Sequence, residues 1–126
     1  VILSGKRRNY VINKLEEAGI PYRYFEMVPL DVLNKLYNIL NLYLVTSRVE
    51  GGPQAIFECA LTKTPILSTR VGVAPEVLHK DSIYKVSEFS KAKIDIDYAF
   101  DSVQKYTIPN GFDKFLNMFN GVKIES

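Results

Sequence analysis

The chain has 126 residues, enough for one domain with one core. Its hydrophobic share of 47% and charged share of 24% are those of an ordinary globular chain, and a formal charge of +2 is too small to argue for nucleic acid. A single cysteine excludes an intrachain disulfide and fits a reducing, cytoplasmic setting, while apolar runs of about five residues are far short of a membrane span.

The chain opens on Val rather than Met, inside an apolar run, which suggests a piece of a longer protein. Residues 1–3 read as a strand whose end meets the Ser4-Gly5 turn. Lys6, Arg7 and Arg8 follow at that strand end. Arginine pairs well with phosphate, so Arg7 and Arg8 are candidate phosphate or acceptor contacts, set against the blander reading of a solvated face. Asn9 is placed to cap a helix over residues 10–18, with Val11, Ile12 and Leu15 as its apolar stripe. Gly19 suits the helix end, and Pro21 blocks continuation. Residues 22–25 are aromatic and strand-like. A loop at residues 28–31 leads into a helix over 32–40, with Leu33, Leu36, Tyr37 and Leu40 on one face.

Residues 42–45 form a buried-strand pattern that feeds the most informative stretch, residues 46–78. The chain turns through residues 47–52, Pro53 opens a helical pattern, and Pro65 starts a second apolar run. This is a strand–loop–helix–strand unit, the repeating piece of an open parallel sheet. Ligands in such sheets sit at the carboxyl ends of strands, where Glu50, Gly51 and Gly52 fall. Two glycines let the backbone approach a bound group, and proline presets the first helical φ. The helix start then offers free N–H groups and a positive dipole end. Gln54 and Glu58 are four apart and share a side of the helix. Ile56, Phe57, Ala60 and Leu61 form the packing face. Glu58 lies at the edge of that face, where a carboxylate is costly unless hydrogen-bonded. Sugar hydroxyls would supply the donors.

Beyond Leu78 the pattern weakens. Residues 82–86 read as a short strand, and Ser87 or Ser90 as a cap. Residues 95–106 carry Ile96, Ala99, Phe100 and Val103 at helical spacing. Residues 108–111 form a turn. Phe112, Phe115, Leu116 and Phe119 make a last amphipathic helix, with Gly121 as its stop. His79 reads as a surface residue and Cys59 as a buried small one. Asp95, Asp97 and Asp101 fall in a helical segment with solvated neighbours, so no metal is expected. Strands alternate with helices, which predicts one α/β domain over 1–126 with a Rossmann-like open, mostly parallel sheet and flanking helices.

Glu50 and Glu58 are separated by seven residues. The ordered run Glu-Gly-Gly-Pro, Phe-Glu-Cys-Ala, Lys-Thr-Pro-Ile-Leu-Ser-Thr and Val-Gly-Val-Ala-Pro-Glu-Val resembles the donor-binding segment of the retaining glycosyltransferases of family 4, which have the two-domain GT-B fold. Cys59, Leu61 and Thr64 depart from that pattern, at packing and turn positions. The resemblance is strong over residues 42–78 and loose elsewhere. It implies that the chain is part of the C-terminal, donor-binding half. The N-terminal acceptor domain, and the first strand and helix of the donor half, would lie outside these residues. In the family that piece carries an Arg and a Lys that neutralise the donor diphosphate, each such contact being worth about 1.5–3 kcal/mol.

The resemblance further implies a hexose transfer from a nucleoside-diphosphate sugar to a hydroxyl acceptor, with retention and without a metal or other cofactor. Glu50 is then the candidate catalytic residue, bonding donor-sugar hydroxyls, and no nucleophile is implied. Gly51, Gly52, Pro53 and Gln54 would bind sugar or diphosphate, Glu58 the ribose, and Met27 and Val28 the base. The acceptor would be lipid-linked or a polysaccharide, and the parent cytoplasmic, either free or peripheral at the inner face of a membrane. The isolated chain is expected to be inactive. The rivals are a nucleotide-binding module without chemistry of its own and a fragment of a GT-B type sugar-nucleotide epimerase. The absence of any Gly-x-Gly-x-x-Gly disfavours a dinucleotide-dependent dehydrogenase.

Overall fold

The computed structural model describes residues 1–121, so residues 122–126 of the expected domain lie outside the described residues. The fold is mixed α/β. Among the described residues, the strands form two small sheets, each a parallel pair. The chain divides into two compact units, Val1–Lys35 and a second that begins at Leu36.

In the first unit, β1 (Ile2–Ser4), α1 (Asn9–Glu17) and β2 (Arg23–Phe25) form a βαβ passage. Ile2 lies opposite Arg23, Leu3 opposite Tyr24 and Ser4 opposite Phe25. The expected Asn9 cap is displaced by one residue. Arg8 occupies the cap position without a side-chain cap bond, and Asn9 is the first helical residue. The cause is the tight turn before it, where Gly5 and Arg7 take φ of +85° and +60°. That turn folds Arg8 back so that its Nε donates to the Ser4 carbonyl at 2.8 Å. Gly19, at φ +65°, ends α1 as expected. The Ile20 and Gly19 amides donate to the Leu15 and Glu16 carbonyls, which is a Schellman ending. No side chain of this unit is buried; Ile12 and Leu15 are half-buried. α2 (Leu30–Ile39) starts in this unit and carries the chain into the next.

The second unit holds β3 (Tyr43–Val45), α3 (Gln54–Leu61), β4 (Ile66–Ser68), α4 (Ala74–Val77), α5 (Ile96–Val103) and α6 (Phe112–Gly121). β3 and β4 run parallel, with Leu44 opposite Leu67. Every residue of β4 is buried, as a strand covered on both faces requires. The core is completed by Ile56, Cys59, Ala60, Ala74, Val77, Ala99 and Val103.

The buried face of α3 differs from the expected one. Ile56, Cys59 and Ala60 point inward, Phe57 is half-buried, and Leu61 is 42% exposed. Phe57 instead meets the edge of Tyr106 at 5.1 Å. Pro53 is the cap rather than the first helical residue.

The expected strand at 82–86 reduces to a single bridge between Ser68 and Ile83. A 3-10 turn at Lys80–Ser82 precedes it, and another 3-10 stretch begins at Val86, so only residues 83–85 lie between the turns. Neither Ser87 nor Ser90 caps a helix; a 3-10 stretch spans Val86–Lys91 after Lys85. α5 is followed by a 3-10 turn at Gln104–Tyr106, and Gly121, the expected stop, lies within α6 at the end of the described residues. Among the described residues, no helix is long and apolar enough to cross a membrane.

Candidate functional site

The loop between β3 and α3 is fastened at its start. The Thr69 amide donates to the Val45 carbonyl at 3.1 Å, and the Thr69 hydroxyl to the Ser47 carbonyl at 2.6 Å. Further on it emerges: Glu50, Gly51 and Gly52 are exposed. Gly72 backs it. At φ +45°, a Cβ on Gly72 would stand 2.8 Å from the Gly51 carbonyl oxygen, 3.0 Å from that of Glu50 and 2.9 Å from Pro53 Cδ. Only glycine lets the two backbones approach so closely. Pro53 is buried and turns the chain into α3 with φ −68° and ψ 101°.

Four amides lie at this turn. Among the described residues, no hydrogen bond uses the N–H of Gly51, Gly52, Gln54 or Ala55; Ile56 is the first to donate, to the Pro53 carbonyl. These donors, at a helix start, suit sugar or phosphate oxygens. Glu50 and Gln54 are exposed beside them.

Glu58 is half-buried on α3 and does not stand alone. The hydroxyl of Tyr37, on α2, lies in hydrogen-bonding reach of its carboxylate. The Tyr37 ring is 8% exposed and meets the edge of Tyr43 at 6.2 Å. Its backbone carbonyl accepts from the Thr64 hydroxyl at 2.7 Å. Burial, then the Glu58 carboxylate, push the Tyr37 phenol far up, so it remains a donor. Cys59 is fully buried, and burial with the Glu58 charge pushes its thiol up to about 12. It is a packing residue, not a nucleophile.

The remaining expected contacts belong to the first unit. Arg7 is exposed, and Arg8 is tied by its Nε to the Ser4 carbonyl. Met27 is 84% exposed and Val28 half-buried. The residues at 50–54 and Glu58 belong to the second unit. Other acids have structural work. Asp95 caps α5 by accepting from the Tyr98 amide at 3.0 Å, and Asp97 pairs with Lys63 at 3.4 Å. Glu76 lies in the first turn of α4 and accepts from the Tyr106 hydroxyl.

Two site residues escape a reading by pattern alone. Tyr37 sits at a core position on its helix, and the sign that it does more is its hydroxyl, which a Phe would lack. Gly72 sits between two valines, and its sign is a glycine where no strand or helix calls for one.

The arrangement is a set of backbone donors flanked by one free carboxylate, Glu50, and one oriented carboxylate, Glu58. It is suited to holding a polyhydroxylated, anionic ligand, and it contains no activated nucleophile. No family model matches the chain, and no curated protein matches it significantly.

Proposed function

We propose that the chain is the nucleotide-sugar-binding portion of a retaining glycosyltransferase of the GT-B type. The observation that carries this reading is the loop at the carboxyl end of β3. Its unused amides of Gly51, Gly52 and Gln54 lie between Glu50 and the α3 residue Glu58. Sugar and diphosphate oxygens would take the amides. Glu50 would accept from hexose hydroxyls, and Glu58, oriented by Tyr37, from the ribose. For Met27 and Val28 as base contacts, and for Arg7 or Arg8 as phosphate or acceptor contacts, all in the first unit, the support is the resemblance alone. The leaving diphosphate would be stabilised by backbone donors and basic groups, which needs no metal. The acceptor site would belong to a domain outside this sequence, so the chain by itself is expected to bind donor without turnover.

Strand pairing supports the finer fold reading. Both strand pairs are parallel, as a Rossmann-like open sheet with flanking helices would require.

The test is an NMR titration of the 126-residue chain with UDP, GDP, ADP and their glucose or mannose conjugates. The expected result is that one nucleotide, at millimolar affinity or better, shifts the amides of residues 50–54 and 58. If none moves them, either in this chain or in a longer parent, the reading is wrong.

A further inference from the structure

The second unit holds another concavity, of about 600 Å³, whose lining includes none of residues 50–54 and not Glu58. Four basic residues line it: Arg70, His79, Lys80 and Lys85. Among the described residues, no carboxylate lines it. Among the described residues, Arg70, Lys80 and Lys85 enter no ion pair, and His79 pairs only with Asp81, at 3.6 Å.

The backbone imposes this convergence. Arg70 follows β4, Lys80 opens the 3-10 turn, and Lys85 follows Tyr84. Tyr84 is anchored twice: its amide donates to the Ser68 carbonyl at 2.9 Å and its hydroxyl to the Val45 carbonyl at 2.9 Å. The three cations thus hang on chain that is pinned to the buried β3–β4 pair. His79 adds a donor in either protonation state. Its Nδ1 accepts from the Asp81 amide at 3.4 Å, which leaves the proton of a neutral ring on Nε2. Like charges gathered on a concave wall raise the local potential and concentrate anions there.

The remaining wall is apolar. Leu78 and Tyr84 are buried at 2% and 7% exposure, and Tyr98 meets His79 edge to face at 5.2 Å. A planar monoanion, with two oxygens on one edge, would leave most of these donors unused. A tetrahedral dianion would engage several, and the guanidinium fork suits phosphate. The volume suits a small molecule rather than an isolated ion. We propose that this concavity binds a phosphate monoester carrying an apolar or ring-bearing body, at a site separate from the loop at residues 50–54. This does not rest on the glycosyltransferase reading. The phosphate could come from a soluble metabolite or from a lipid headgroup.

The experiment is an NMR titration of the full 126-residue chain at constant ionic strength. One arm uses phenyl phosphate. The other uses phosphatidylcholine vesicles with and without phosphatidic acid. Saturable shifts at Arg70, His79, Lys85 and Tyr98 with phenyl phosphate are expected, and they support a soluble ligand. Binding only to the phosphatidic acid vesicles supports the same chemistry with a lipid source. Arg70→Gln should weaken binding about tenfold, the scale of one charge-assisted hydrogen bond. Lys91→Gln, which removes the same charge outside the concavity, should not weaken it. Lys85→Gln replaces Arg70→Gln if that variant fails to fold. Absence of saturable shifts in both arms overturns the proposal. So does equal weakening by the variants inside and outside the concavity, because net charge would then explain the binding.

Discussion

At Gly72, two backbones come closer than any side chain permits. Gly72→Ala would press a methyl group against the Gly51 and Glu50 carbonyls at 2.8 and 3.0 Å, at a φ of +45° that alanine disfavours. A cost of about 1–3 kcal/mol is expected, with the amides of residues 50–54 shifted. Gly51→Ala meets nothing within 4 Å and should stay within about 0.5 kcal/mol of the parent. Urea unfolding of both variants checks this; equal stability would mean that the loop yields to Gly72. Tyr37→Phe isolates the hydroxyl beside Glu58. Its loss should cost about 1–2 kcal/mol in urea and weaken nucleotide binding several-fold, because Glu58 loses its orienting donor. An unchanged midpoint and affinity would show that the hydroxyl does not orient Glu58. The glutamates themselves are legible in the sequence, since their spacing about a Gly-Gly-Pro turn places one before a helix and one upon it. Tyr37 is legible only as an inward position, because periodicity places a residue on a face and says nothing of what its hydroxyl meets.

Among the elements, α3 joins the site to the core. Its buried residues Ile56, Cys59 and Ala60 lie one face over from the proposed ribose ligand Glu58. Ile56→Ala should therefore cost about 2–5 kcal/mol, the range for a buried aliphatic truncation, and its unfolding midpoint in urea gives the value. Cys59 makes α3 sensitive to alkali. Its folded thiol is held at about 12 against 9.0 for the free group, so the unfolded chain loses the proton first. The associated stability is intact below pH 9 and is lost as pH rises through about 12. Between pH 9 and 10 stability should fall as pH rises, and Cys59→Ala should reduce that slope, leaving the part contributed by Tyr37 and Tyr84, whose phenols burial also holds above 10.0. A slope unchanged in the variant would assign it wholly to the other groups. The existence and order of the helices follow from apolar spacing and from Gly19, Pro21 and Pro65. Their exact ends and faces do not. Arg8 rather than Asn9 precedes α1 because the Gly5–Arg7 turn directs it, and Cys59 replaces Leu61 inside because residues far along the chain cover that face. The strand expected at 82–86 shrinks to a bridge because 3-10 turns at Lys80–Ser82 and Val86–Lys91 leave only residues 83–85 between them.

For the whole molecule, burial separates the two units more sharply than secondary structure does. The first unit has two strands and a well-ended helix, yet none of its side chains is buried. At about 40 residues or fewer, a chain seldom buries enough surface to stand by itself. The second unit has fully buried Ile56, Cys59, Val77 and Val103. Amide hydrogen exchange should therefore divide the chain. The amides of Leu3, Arg23 and Phe25 are expected to exchange by local opening, about a hundredfold or more faster than those of Leu67 and Ala60. Equal protection in both units would show that the first unit is held as firmly as the second, against its lack of buried side chains.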